Sequence, residues 1–223
     1  MKRIKYILCL FLCCGLLSSC GVANEFFAKL GFDTHDYEGE EVIATYEADS
    51  EKAEQLSEMI LTLTVNSTDI PEFHDTKEGI SLCRESLLNY MLVNNYSKYT
   101  GNLALLDSAA AEYPHLKIST VIPADDFENE AYRYFGGKQK VVNQSGTLFT
   151  YLDKIESYTT VAEPSENEMT VKVISIEETA NTFRFRFKCS VNETESDEYM
   201  ALIIKRSDES CYFKYVEKSK NAQ

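Results

Sequence analysis

From Phe183 to Cys189 the chain reads Phe-Arg-Phe-Arg-Phe-Lys-Cys. An apolar residue at every second position fits a β-strand, because successive strand side chains point to opposite faces. Phe183, Phe185, Phe187 and Cys189 then share one face and should be core. Arg184, Arg186 and Lys188 share the other. One strand cannot bury three phenyl rings, so partners are required. Branched and aromatic residues alternating with polar ones between turn signals predict them near 147–152, 156–161, 170–176, 182–190, 198–206 and 211–217.

Register follows from the turns. A hairpin centred near Thr194 places Phe185 opposite Ile203 and Phe187 opposite Ala201. A second hairpin, centred between Asp208 and Glu209, places Phe213 near Ile204 or, one slip away, near Ile203. A slip moves a whole strand to the other face. With Phe213 on the core side, Cys211 and Tyr215 join it. The opposite face then carries Arg184, Arg186, Lys188 and Lys214, with Leu202, Ile204 and Tyr212 among them.

The first half of the chain has the helical period instead. Ser50 caps a helix with Glu51 and Glu54 in its first turn, where the helix dipole favours anions. Ala53, Leu56, Ile60 and Leu63 form its apolar stripe. A second helix begins at Thr76, with stripe residues Ile80, Cys83, Leu87, Leu88 and Met91, and ends at Asn94-Asn95. A third runs near Leu103 to Glu112 and stops before Pro114. Ile118 to Ile122 reads as a short strand. A last helix starts at Pro123 and stops at Gly136-Gly137.

Helices first and strands afterwards give an α+β domain, with N-terminal helices packed on a C-terminal curved antiparallel β-meander. The plan loosely resembles cystatin-like and nuclear transport factor 2-like domains. That resemblance is architectural and rests on no shared motif.

The start of the chain has a separate logic. Lys2, Arg3 and Lys5 precede an uncharged apolar run from Tyr6 to Leu17, then Ser18-Ser19-Cys20-Gly21. A cationic start, an apolar stretch and small residues before a cut site define a secretory leader. About a dozen apolar residues are too few to span a bilayer, which needs roughly 20. Leu17-Ser18-Ser19-Cys20 resembles the lipobox of bacterial lipoproteins. That resemblance implies diacylglycerol on the Cys20 sulfur, cleavage between Ser19 and Cys20, and a protein held by lipid on the outer face of the cell membrane. Each acyl CH₂ buried in lipid contributes about 0.8 kcal/mol, and two or more chains hold durably. The reading divides the chain into a signal peptide at 1–19, a flexible tether at 20–40 and a single α+β domain at 41–223. That domain is helix-rich over 50–136 and strand-rich over 140–217. Phe26, Phe27 and Leu30 in the tether could dock on the domain or on the membrane surface.

The chain has 36 acidic and 22 basic residues, a formal charge of −14. Loss of the three leader cations takes it to −17. Such a balance favours solubility and disfavours nucleic acid, which needs clustered Lys and Arg. Against it the cationic sheet face stands out. Arg184, Arg186, Lys188, Lys214 and Tyr212 form the candidate surface for an acidic protein partner in the cell envelope, Arg offering forked hydrogen bonds and Tyr offering area. The competing reading pairs these bases with the domain's own acids or leaves them solvated.

Of seven cysteines, Cys9, Cys13 and Cys14 leave with the leader and Cys20 carries lipid. Cys83, Cys189 and Cys211 remain, an odd number read as small buried residues, with a single disulfide as the sharper alternative. His35, His74 and His115 lack metal-ligand spacing, no Gly-x-Ser-x-Gly elbow is present, and Gly136-Gly137-Lys138 reads as a helix stop. No catalytic residue, metal or cofactor is assigned. The expected function is a non-catalytic binding or regulatory lipoprotein, and more narrowly a regulator or inhibitor of a cell-wall enzyme. The rivals are a solute-capturing lipoprotein of a transport system and an envelope hydrolase.

Overall fold

The computed structural model describes residues 37, 39–65, 69–136, 141–164, 169–191 and 194–219. The leader, the Ser19–Cys20 cleavage site, Cys20 lipidation, the Phe26, Phe27 and Leu30 cluster, His35 and Gly137 lie outside these residues. The chain divides into two units, Met1–Glu40 and Glu41–Gln223, and every element below belongs to the second.

Strand β1 (Ala44–Tyr46) precedes helix α1 (Glu51–Leu63). Ser50 Oγ accepts from the Ala53 N–H at 3.2 Å, and Ala53, Leu56, Ile60 and Leu63 are buried. Helix α2 (Thr76–Asn94) is capped by Asp75, which accepts from the Glu78 N–H at 2.9 Å. Glu78 reaches back to the His74 N–H at 2.8 Å, so two orphan donors of the first turn find partners. Two shorter helices follow, α3 (Tyr96–Thr100) and α4 (Leu103–Glu112), then the two-residue strand β2 (Ile122–Pro123). Helix α5 (Ala124–Phe135) ends at Gly136, whose φ of 70° is left-handed. A Cβ there would also meet the Tyr212 ring at 2.3 Å, so glycine serves both the stop and the packing.

The strand-rich half comprises β3 (Thr150–Leu152), β4 (Ser157–Thr159), β5 (Thr170–Glu178), β6 (Thr182–Val191), β7 (Thr194–Glu195), β8 (Tyr199–Lys205) and β9 (Cys211–Lys218). The main sheet is antiparallel with order β1-β5-β6-β8-β9, β7 pairing with the end of β6. Helices α1, α2 and α5 pack against it, so the domain is α+β with helices on an antiparallel meander.

The Phe183–Cys189 run lies in β6 with the expected alternation. Phe183, Phe185, Phe187 and Cys189 are buried in the same apolar cluster as Leu56, Ile60, Leu87 and Phe135. Phe185 and Phe187 stack at 5.0 Å between ring centroids. Cys83, Cys189 and Cys211 are free thiols, all buried. Burial pushes the Cys189 thiol up to about 12 and raises Cys83 further.

The register differs from the sequence expectation. Phe185 faces Ala201 and Phe187 faces Tyr199, two residues off the predicted pairing. The cause is an earlier turn: β7 folds back so that Val191 pairs with Thr194 and Ser190 with Glu195. Ser196 then holds Cys189, its Oγ accepting from the Cys189 N–H at 2.9 Å. An offset of two preserves the faces. In the second hairpin Phe213 faces Ile203 and Cys211 faces Lys205, on the core side. Tyr215 does not join them. A bulge between Leu202 and Ile203 inserts Lys214, so Tyr215 pairs with Leu202 and Val216 becomes the buried residue.

Three further differences have physical causes. Strand β1 has too few residues to show alternation. Strands β3 and β4 do not belong to the meander; they form a separate three-stranded sheet with β2. Only Ile122 of the predicted 118–122 strand pairs, because that sheet is two residues deep at this edge. A second apolar cluster of Ala109, Val121 and Leu152 joins α4 to this small sheet.

Candidate functional site

The face of the main sheet opposite the helices holds the predicted partner-binding residues. Arg184, Arg186 and Lys188 share it with Leu202, Ile204, Tyr212 and Tyr215 by register, and Lys214 sits at the bulge. The three β6 cations lie against acids of adjacent strands and loops. Arg184 Nη1 is 3.5 Å from a Glu177 oxygen on β5. Arg186 donates from Nε to Glu198 at 2.8 Å, and its Nη2 makes a second, short contact with the same oxygen. Lys188 is 3.5 Å from Glu195, which also accepts from Lys172 at 2.8 Å. Lys172 and Lys188 hold the Glu195 carboxyl below its ordinary range. Leu202 and Ile204 are only 2% and 5% exposed. Arg184, Arg186 and Lys188 are thus charge-compensated by neighbouring strands and loops.

A concave feature lies elsewhere. A cleft of about 640 Å³ runs between α1, α2, the end of α5 and the start of β9. Met59, Val65 and Val93 give it apolar wall. Gln55, Asn89 and Asn94 give it three carboxamides, and Glu58 and Arg133 give it charge at the rim. Helical spacing builds these rows: Gln55, Met59 and Thr62 recur on α1 at i, i+4 and i+7, and Asn89 with Val93 at i and i+4 on α2.

Tyr134 organises the floor. Its hydroxyl donates to Thr62 Oγ1 at 3.1 Å, and its ring meets Tyr90 edge-on at 6.2 Å. The Arg133 guanidinium lies 5.7 Å from the same ring centroid. Burial raises the Tyr134 phenol well above its ordinary range, so it stays a neutral donor. At the far wall the Cys211 thiol contacts the Met59 thioether at 3.4 Å. Burial raises the Cys211 thiol, while Lys52 and Arg206 pull weakly the other way. A protonated thiol is a poor nucleophile, and no histidine lines the cleft. Carboxamides, a neutral phenol and apolar wall suit holding a neutral or amphipathic group.

His74 and His115 are exposed in loops, and Cys83 is fully buried. Among the described residues no group of three or more His, Cys, Asp or Glu could hold a metal ion. Nor is any described helix long and apolar enough to cross a membrane. Sequence reading missed the cleft because its walls come from four separated segments. The amide-rich spacing Gln55…Met59 and Asn89…Asn94 was its only trace. Comparison of the chain with protein-family models, with curated proteins and with solved structures finds no match.

Proposed function

We propose that the chain is exported, lipidated at Cys20 and held on the extracytoplasmic face of the cell membrane, where residues 41–223 act as a non-catalytic binding or regulatory module. The observation that carries this reading is the leader: three cations, an uncharged apolar run, then Leu17-Ser18-Ser19-Cys20. The 640 Å³ cleft supports the binding role, since it falls in the size range of ligand sites, roughly 300–1,000 Å³. Regulation or inhibition of a cell-wall enzyme is the narrower form: the cleft would seat a short segment of that enzyme. Capture of a small solute for a transport system is the second reading, and the same cleft favours it.

Two measurements test the reading. Cells expressing the chain are fed an alkynyl fatty acid, and the protein is recovered and weighed. Wild type should carry lipid at Cys20, lack residues 1–19 and sediment with membranes, whereas Cys20→Ser should remain unlabelled and uncut. Recovery of unlabelled wild type with Met1 in place, in the soluble fraction, refutes the anchoring. A photo-crosslinker at Glu58, on the cleft rim, should capture a protein under the regulatory reading. A bound small solute recovered with purified wild type but lost from Tyr90→Ala would favour solute capture.

A further inference from the structure

Arg84 sits mid-way along α2 and is only 7% exposed. Arg133, Arg184 and Arg186 each lie against a glutamate. Arg84 has no carboxylate within ion-pair distance among the described residues, in a chain with 36 acidic residues. With the Gln144 carboxamide oxygen turned toward it, Nη1 and Nη2 donate at 3.2 and 3.0 Å. Its Nε finds no partner. A guanidinium stays charged at any physiological pH, and a buried charge left uncompensated is strongly unfavourable. Among the described residues no group supplies the countercharge that an anion would.

There is room for one. Arg84 lines a cavity of about 220 Å³, separate from the cleft described above, together with Lys77, Ser81 and Gln144 on its polar side and Ile80 and Val141 on its apolar side. Lys77, Ser81 and Arg84 stand at i, i+4 and i+7 of α2, so one helix face presents an ammonium, a hydroxyl and a guanidinium in a row. A water occupies about 30 Å³ of liquid, so the cavity suits a group of a few heavy atoms.

We propose that this cavity binds a small oxyanion of the carboxylate or phosphate class. Arg84 supplies the buried charge and its charge-assisted hydrogen bonds. Ser81 adds a hydroxyl donor, and Lys77, exposed at the rim, adds charge at the entrance. The apolar side excludes water and strengthens each contact. This site goes beyond the anchored-module reading and does not depend on it.

The test uses the full chain in detergent at fixed pH and fixed ionic strength, with chloride replaced stepwise by phosphate in one arm and by acetate in the other. Thermal unfolding is followed by circular dichroism, and affinity by calorimetry. Wild type should gain melting temperature saturably with at least one of the two, by about 3–6 °C at ten times the dissociation constant. Arg84→Met should abolish the gain, and Arg84→Lys should weaken it. Should the Met variant fail to fold, Lys77→Ala keeps the proposal open to refutation: it changes an exposed side chain and should raise the dissociation constant about tenfold. A response to phosphate alone, acetate alone or both names the class. If neither anion exceeds chloride, or if Lys77→Ala and Arg84→Lys respond like wild type, the proposal is overturned.

Discussion

Strand β6 presents two surfaces held in place by different physics. On the side of the helices, Phe185 and Phe187 are fully buried and stacked, and Phe213, Phe135 and Phe73 continue the aromatic packing. On the other side, Arg186 and Lys188 find Glu198 and Glu195 across short distances. The first surface contributes through area removed from water, on the order of 25 cal/mol per Å². The second contributes little, because half-exposed ion pairs are screened and cost side-chain freedom. Adjacent residues of one strand can therefore differ several-fold in what their removal costs. Arg184, Arg186 and Lys188 each lie near a glutamate, whereas Arg84, on a helix and far more buried, has no carboxylate within ion-pair distance among the described residues.

That contrast can be broken at four points. Phe185→Ala should have the largest effect, about 3–5 kcal/mol in denaturant unfolding, since a closed core leaves a cavity. A loss below about 1 kcal/mol would mean that the ring is not packed as described. Glu178 comes next. It accepts from Lys205 at 2.7 Å and from the Tyr46 hydroxyl beside the Phe183 ring. Those two hydrogen bonds, Lys205 first, hold its carboxyl below the ordinary range. A depressed folded pKa stabilises at pH above the unfolded value, near 4.3, and that contribution disappears as pH falls through the lower folded value. Glu178→Gln should cost about 1–2 kcal/mol at pH 7 and flatten the acid limb of a stability–pH curve. An unchanged limb would assign the acid sensitivity elsewhere.

The remaining two points lie on the cationic face. A double-mutant cycle with Arg186→Gln and Glu198→Gln should give a coupling of about 0.5–1 kcal/mol, shrinking in 1 M salt. A zero coupling would mean the pair is incidental. Lys188→Ala should be the smallest, within about 0.5 kcal/mol. A larger loss would show that this face does more for the fold than balance charge. Neutral replacements matter here, because a glutamate at 184 or 186 would face Glu177 or Glu198 and repel it.

Much of the fold could be read from residues whose chemistry is local. The Ser50 cap, the stop at Gly136, the limits of α4 and the alternation in β6 each depend on a few neighbours in sequence. What escaped depends on distant partners. Tyr46 is a strand residue only because β5 lies beside it, through Ile43 and Glu178 among others. The pairing of β4 with β2 joins segments some 35 residues apart, and no turn signal announces it. The two-residue offset at Phe185 came from a hairpin that closes early and then swings out. For the candidate sites, the cationic stripe was visible, but the acids opposite it were not, since β5 and the 194–198 segment supply them. Arg84 drew no reading from the sequence, where it stands beside the stripe of Ile80, Cys83 and Leu87. Its isolation became visible only once Val141 and Gln144 were folded over it.

The outer edge of β9 has a consequence of its own. Phe73 exchanges both backbone hydrogen bonds with Val216, at 2.9 and 3.0 Å, without building a strand. The bulge at Lys214 interrupts the edge two residues earlier. At the far side the sheet ends in β1, only three residues long. A second copy seeking a template for strand addition meets the Phe73 bridge and the Lys214 bulge on this border, whereas β1 pairs with only Ile176–Glu178 of β5 on the other. A bridged and bulged border resists cross-β growth, so the β9 side of this aromatic-rich meander is the guarded one.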